Sequence, residues 1–463
     1  MITFYNTLHR KKEELKPLTS GKIGLYTCGP TVYNYAHVGN FRAYMFEDLL
    51  RRFLEFSGFE VHHVMNITDI DDKTIRKANE ENVPLTSITE KYTEVFHNDI
   101  SALNILPAHQ YPKATEYVDK MIALVQDLES KGIAYKAEDG SVFFKISKYP
   151  NYGKLANIDP ESQKVGARVE NDEYGKEEAR DFALWKAKKE EDGKIFWDSP
   201  WGEGRPGWHL ECSVMSMDLL GDHFDIHCGG VDNIFPHHEN EIAQSCASTN
   251  KNFVNVWLHN KHLLVNGEKM SKSLGNFYKI PELIEKGYSR ESIRYTLIST
   301  HYRQELNFTF EKLVVSQKAI NRLRELQRRL MCVNNESTGD IDFSCEKMVD
   351  EFQQTLAEDL NISGALGVLF IWVNEVFGLL DKNKISKPSA QYAVESLCRI
   401  DSILGVIECL EEEVDCDVDE LIQRRINARN NKDWSKADEI RAQLDDLGVV
   451  LEDTPDGTIW KKK

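Results

Sequence analysis

Leu25-Tyr26-Thr27-Cys28-Gly29-Pro30-Thr31-Val32-Tyr33-Asn34-Tyr35-Ala36-His37-Val38-Gly39-Asn40 is the stretch whose reading decides the fold. At its start, Lys22 to Tyr26 is short, largely apolar and bounded by Gly21 and Gly29, which is the pattern of a buried strand. Beyond it, Phe41 to Phe56 carries apolar side chains at 41, 45, 46, 49, 50, 53, 54 and 56, a helical period that ends at Gly58. A helix leaving a strand presents free N–H groups and a positive dipole end, which suits phosphate. His37 and Asn40 lie near that end, and Gly39 has no side chain to block a close approach. The stretch alone fits an ordinary β-turn-helix unit with a surface histidine equally well, so other segments have to decide.

The whole chain sets the bounds. Its 463 residues give length for roughly three or four domains. A hydrophobic content of 41% and a charged content of 29% describe a soluble globular protein. No apolar run reaches the roughly 18 residues that cross a bilayer, and the N-terminus lacks the apolar core of a signal peptide. The expectation is a cytoplasmic protein with no membrane partner. Nine cysteines (28, 212, 228, 246, 332, 345, 398, 409 and 416) are scattered and odd in number. That argues against a disulfide scaffold and for metal binding or plain burial. A net charge of −18 disfavours non-specific nucleic-acid binding as a global property. A local basic face stays open.

Farther along, Phe59 to Ile67 reads as a second strand, and the polar run Asn66 to Lys73 comes after it, where open α/β sheets bind ligands. Pro84–Leu103 and Thr115–Lys131 are helical in pattern. Residues 116–205 then change character: Gly140 to Ile146 alternates like a strand, and Glu170 to Arg180 is a charged loop. This reads as an insertion. Asp198 to Trp208 is dense in Gly, Pro and Trp, consistent with a shaped wall or a rigid loop. Next come His209-Leu210-Glu211-Cys212, a strand Phe224–Gly230, and Pro236-His237-His238-Glu239-Asn240-Glu241 opening a helix. His237 and Glu241 are four apart and share a helix face, a metal-ligand spacing. Cys28, Cys212, Cys228, His209, His223 and His227 are further candidates, and spacing cannot say which of them converge. Val254–Leu258 and Lys261–Val265 read as strands, with Asn266-Gly267 as a type I′ hairpin turn. Past it stands Lys269-Met270-Ser271-Lys272-Ser273, whose lysines and hydroxyls suit a reacting triphosphate or simply a solvated turn.

His37-Val38-Gly39-Asn40 resembles the HIGH signature, and Lys269 to Ser273 the KMSKS signature, of class I aminoacyl-tRNA synthetases. Tyr26 to Tyr33, Arg205 to Cys212 and Phe235 to Glu241 resemble the cysteinyl-tRNA synthetases in particular, and the match runs essentially end to end. The resemblance implies ATP-dependent activation of L-cysteine to cysteinyl-adenylate, then transfer to the 3′ end of tRNA(Cys). It implies one zinc ion per chain on Cys28, Cys212, His237 and Glu241, and Mg2+ with ATP. Zinc prefers thiolate to hydroxyl, so it separates cysteine from serine. A pocket that measures size alone separates near-isosteres by only about 1–3 kcal/mol. The resemblance further implies catalytic roles for His37, Asn40, Lys269 and Lys272. It places ATP at His37, Gly39, Asn40, Gly229, Gly230, Asp232 and Lys272, and cysteine or adenylate at Thr31, Thr68, Trp208, Asp225 and His227. One departure is Asn40, where the signature ends in histidine; an asparagine there carries no charge.

The expected architecture is α/β: a Rossmann-like doubly wound parallel sheet (1–115 and 206–260) split by a connective insertion (116–205). After it come the KMSKS loop and stem-contact region (261–310), an α-helical bundle (311–407), and an acidic linker with a small C-terminal anticodon-binding domain (408–463). Gln317 to Met331 carries Lys318, Arg322, Arg324, Arg328 and Arg329 against Glu325, which suits either a tRNA backbone or a solvated helix. Glu351–Leu380 reads as bundle core. Trp434 and Trp460 suit either base stacking or a core. The family expectation is a monomer. Two rivals remain: a ligase joining cysteine to a small amine, to which residues 421–463 would be of no use, and a non-catalytic zinc-dependent RNA-binding paralogue, against which His37, Lys269 and Lys272 argue.

Overall fold

The computed structural model describes residues 1–158, 168–169, 180–270, 275–334, 339–409, 421–422, 424–426, 428–429, 433–454 and 457–462. Four parallel strands, β1 (Lys22–Thr27), β2 (Glu60–Met65), β3 (Phe224–Gly230) and β4 (Val254–Asn260), form a sheet in the order β4-β3-β1-β2. Leu25 and Tyr26 of β1 are wholly buried, as its apolar centre predicts. From β1 the chain passes through helix α1 (Val38–Phe56) to β2 on one side. Helix α2 (Trp208–Leu220) leads into β3, and helix α3 (Glu239–Thr249) connects β3 to β4 on the other side. The strand order therefore reverses between β1 and β3, the place where sheets of this kind bind ligands in a crevice beyond the strands' C-terminal ends.

The inserted segment builds a second sheet from Ala134–Lys136, Val142–Phe144, Arg168–Val169, Asp181–Ala187 and Gly204–Pro206. Its pairing is antiparallel except between Arg168–Val169 and Asp181–Phe182. The strand expected over 140–146 is shorter, because the Ile146 N–H turns away to Asp181 Oδ1 at 3.0 Å and a 3-10 turn begins there. Most of the charged 170–180 loop lies outside the described residues. The Asn266-Gly267 hairpin forms as expected: both residues have positive φ (52° and 80°), and Val265 pairs with Glu268.

Two compact units result. The first comprises Met1–Ile320, Met348–Phe370 and Ile400–Val406, and the second Asn321–Lys347, Ile371–Arg399 and Ile407–Lys463. The first unit's main core joins the parallel sheet to the second sheet through Tyr26, Phe144, Trp185, Leu210 and Trp257. The long helical pattern at 351–380 is two helices, Asp342–Ala357 and Ile362–Leu380, because Asp359 and Leu360 take left-handed φ (63° and 52°). The buried Asp359 carboxylate sits in that break and accepts from Tyr5 N–H, Tyr302 O–H and the Arg303 guanidinium. Ile362–Leu380 has the length and composition of a membrane-crossing helix. Its buried positions, however, recur as Ile362, Ala365, Leu366, Leu369, Trp372, Val373 and Val376, the stripe of a core helix.

In the second unit Arg322 pairs with Asn374, Arg328 with Glu325 at 2.8 Å, and Arg329 with Asp381 at 2.7 Å. Those three arginines of the basic stretch are thus engaged within the protein. Cys398 and Cys409 form a disulfide with Cα atoms 5.8 Å apart. A single bond is no disulfide scaffold, but it adds a role beyond metal binding or burial, and spacing does not reveal the pair. Trp434 opens the helix Trp434–Asp446 and is 59% exposed. Of the Trp460 side chain nothing is described.

Candidate active site and metal centre

The crevice is lined by the segments at the C-terminal ends of β1 and β3. His37 caps α1: its Nδ1 accepts from Gly39 N–H at 3.1 Å and Asn40 N–H at 3.3 Å, while Asn40 Oδ1 accepts from His37 N–H at 3.1 Å. This reciprocal cap is why the helix starts three residues before its apolar period. It also gives Asn40 a role that needs no charge. The segment after Lys269 lies against the cap: Val38 N–H donates to Tyr278 O at 3.0 Å, and the Phe277 ring stands edge-on 4.6 Å from that of His37. Lys269 is exposed beside it, and its carbonyl accepts from Asn276. Lys272 lies outside the described residues.

At the end of β3, a Cβ on Gly229 would come within 2.7 Å of His238 Cε1, and one on Gly230 within 2.3 Å of Asp232 Oδ1. Only glycine allows that packing. Asp232 itself is exposed.

Between β1, α2 and α3 lies a buried cluster. Donor atoms of Cys28, Cys212, His237 and Glu241 all fall within 4.8 Å of one another. An overlapping group, Cys28, His227, His238 and Glu241, meets the same limit. The two differ in how their atoms are engaged. In the second, Cys28 Sγ is 3.3 Å from His238 Nε2, His238 Nδ1 is 2.8 Å from His259, and His227 Nε2 is 3.0 Å from Glu241 Oε2. Those atoms already satisfy one another. In the first, Glu241 Oε1 is buried 3.0 Å from His237 Nε2 yet makes no hydrogen bond among the described residues. A buried carboxylate oxygen left without a donor is costly, and a cation held together with the His237 nitrogen 3.0 Å away would satisfy it.

The electrostatics agree. Burial pushes the Cys212 thiol well up, and contact with Cys28 adds to it. Hydrogen bonding with Cys212 pulls Cys28 down, but burial together with Glu241 and Glu47 holds it up on balance. Burial drives His237 down to about 3, so it stays neutral, the form that binds metal. Two thiols crowded together away from water resist ionising unless a divalent ion offsets their charge. The donor set S, S, N, O suits zinc. The choice that spacing left open is decided by the strand: Cys228 lies buried in β3, with its side chain on the face opposite His227, and belongs to neither group.

Trp208, the first residue of α2, stacks on His237 with ring centres 4.0 Å apart. Thr68 is buried and donates to Glu211 Oε2 at 2.8 Å, and Thr31 bridges to Thr68 through the backbone. His227 stacks on Trp257. Asp225 is elsewhere: near the start of β3, its two carboxylate oxygens accept from Leu18 N–H at 2.7 Å and Gly24 N–H at 2.8 Å. It staples β1 to β3 and does not join the crevice. Asn66 opens the polar run read as a ligand position after the second strand; its Oδ1 accepts from Gly29 N–H at 2.9 Å and lies 3.7 Å from Cys212 Sγ. Sequence reasoning had not singled out His238 or His259. Only the His-His doublet at 237–238 offered a signal for one of them.

Comparison with known proteins points the same way. The family described as "tRNA synthetases class I (C) catalytic domain" matches residues 14–318, and "Cysteinyl-tRNA ligase anticodon binding domain" matches 411–460. The chain is 49% identical to a cysteine–tRNA ligase of Brachyspira hyodysenteriae, over 100% of this chain and 99% of the relative. It is 47% identical to one from Protochlamydia amoebophila, over 100% and 98%. Among solved structures it resembles Mycobacterium tuberculosis methionyl-tRNA synthetase in complex with methionyl-adenylate (TM-score 0.63, 15% identity, 83% of this chain and 92% of that one). It also resembles a Campylobacter jejuni chain described as an arginyl-tRNA synthetase (TM-score 0.58, 14% identity, 86% and 95%). At such identities these two likenesses speak for the fold alone.

Proposed function

This chain belongs to the cysteine–tRNA ligases, class I aminoacyl-tRNA synthetases, and from that premise we propose that Cys28, Cys212, His237 and Glu241 hold a zinc ion that selects cysteine. The activity itself is activation of cysteine by ATP and its transfer to tRNA. The small-amine ligase gives way to it because an anticodon-binding segment matches residues 411–460. The non-catalytic paralogue does so because the catalytic-domain family matches residues 14–318 and relatives matched over their full length are cysteine–tRNA ligases.

The observation that carries the zinc reading is the buried Glu241 oxygen without a donor, among convergent thiol and imidazole donors. Zinc bound there would supply a soft Lewis acid that accepts thiolate far better than hydroxyl. Trp208, stacked on His237, and the Thr31–Thr68 bridge would wall the cysteine side of the crevice. On the ATP side, the first turn of α1 would turn its free N–H groups toward phosphate, with His37 and Asn40 fixing that turn. Gly39, Gly229 and Gly230 keep the way clear, and Asp232 would meet the ribose. Lys269 and Lys272 would stabilise charge developing on the departing pyrophosphate, accompanied by Mg2+. Residues 421–463 would engage the tRNA(Cys) anticodon. We place the enzyme in the cytoplasm as a monomer.

Cys212→Ser tests the metal assignment. The expected result is loss of zinc together with loss of cysteine-dependent ATP–pyrophosphate exchange and of preference over serine. Full zinc content with full discrimination would overturn it and point to the group built on His227 and His238.

A further inference from the structure

Resting on the zinc reading above, we propose that Glu239 is a positioning residue for the ligand pair His237 and Glu241, acting as a latch between α3 and residues 150–158 of the insertion. Glu239 is the first residue of α3 and is wholly buried. Its Oε1 accepts from Gly153 N–H at 2.6 Å and its Oε2 from Ala156 N–H at 2.8 Å. One residue on, Asn240 Oδ1 accepts from Tyr152 O–H at 2.6 Å. A carboxylate at a helix start usually faces water and complements the dipole. Here it is turned inward onto another segment's backbone, two residues from each ligand.

Packing holds the loop as well: Tyr152 and Leu155 are buried in the first unit's main core, and Tyr149, Ile242 and Cys246 pack against it. Beside the loop lies a cavity of about 650 Å³, with Tyr149, Tyr152 and Lys154 on one wall and Ile242 and Cys246 of α3 on the other. To that packing the hydrogen bonds of Glu239 and Asn240 add direct polar ties between the loop and the helix that carries Glu241. A helix start held in this way fixes where His237 and Glu241 point. Groups that orient metal ligands in this manner typically matter by about 10–100-fold in metal affinity.

The test uses full-length enzyme, Glu239→Gln and Tyr152→Phe. Glutamine is isosteric but turns an NH2 toward backbone donors, and Tyr152→Phe removes a single hydroxyl, so it decides the matter if Glu239→Gln does not fold. The readouts are the rate of zinc release to a chromogenic chelator and the separate KM values for cysteine and ATP in pyrophosphate exchange. Zinc release about 10-fold faster in Glu239→Gln is expected, with a smaller change of the same sign in Tyr152→Phe, a raised cysteine KM and an unchanged ATP KM. Wild-type release rates in a folded Glu239→Gln and in Tyr152→Phe overturn the latch, as does an equal rise in both KM values without faster release. Wild-type enzyme that carries no zinc overturns the underlying metal reading instead, which separates the two failures.

Discussion

Gly39→Ala probes the contact between the two signature segments. A Cβ at Gly39 would lie 2.7 Å from Met270 Cε and 2.9 Å from His37 Cε1 and Nδ1. Methionine is flexible and its terminal carbon moves cheaply. His37 does not, because its Nδ1 is tied to two backbone N–H groups and its ring stands against Phe277. Relieving the contact from 2.9 to an ordinary 3.4 Å moves the imidazole by about 0.5 Å and loosens the helix cap, a loss of about 1 kcal/mol. A 1 Å misplacement at a reacting centre can cost about 100-fold, so half that distance corresponds to about 10-fold. We expect kcat for cysteine-dependent pyrophosphate exchange to fall by about 10-fold. Adding Met270→Ala should restore little of it, because the methionine is not the rigid partner. Wild-type kcat in Gly39→Ala, or full rescue by the second substitution, would refute this account of the cap.

Three other expectations concern stability and redox state. Asp99, in the helix Leu85–Ala102, is buried with Oδ2 unbonded among the described residues, and burial pushes its carboxyl up to about 6. From about pH 4 to 6 the folded protein keeps a proton that the unfolded chain has released, so this group lowers stability as pH rises through that window. Asp99→Asn should therefore melt higher than wild type at pH 8 and alike at pH 4; an equal shift at both would exclude burial as the cause. Asp359→Ala strips the acceptor from Tyr302, Arg303 and Tyr5 and should cost the first unit about 3 kcal/mol, the low end for a broken buried pair since Arg303 is partly exposed. A thermal shift equivalent to less than about 1 kcal/mol would contradict it. The Cys398–Cys409 bond closes a short loop and should contribute about 2–3 kcal/mol to the second unit. Alkylation mapping without reductant should leave both cysteines unmodified, and labelling of both would show the pair reduced.

Much of this was legible in the chain itself, because local physics encodes it. Apolar period set β1 and β3 nearly to the residue and the C-terminal end of α1, whose start lies three residues earlier at a cap that periodicity does not see, and Asn266-Gly267 specified its hairpin through the positive φ both residues adopt. The doublet at 237–238 and the four-residue step to Glu241 put two candidate ligands on one helix turn. Such patterns report only on neighbours within a turn or a pleat.

Pairing across elements was decided by the tertiary structure. Cys28 and Cys212 meet because parallel β1 and the start of α2 converge at the crevice, while Cys228 is carried to the opposite face of β3 by strand alternation. Asp225 was drawn away from the crevice by two backbone donors near β1, and Asp359 broke a continuous helical pattern because its carboxylate had four donor groups to satisfy. Sequence determined the local elements and the family of chemistry. Only the fold decided which distant polar groups share one water-free volume, since there an unpaired donor or acceptor costs more than any local propensity can return.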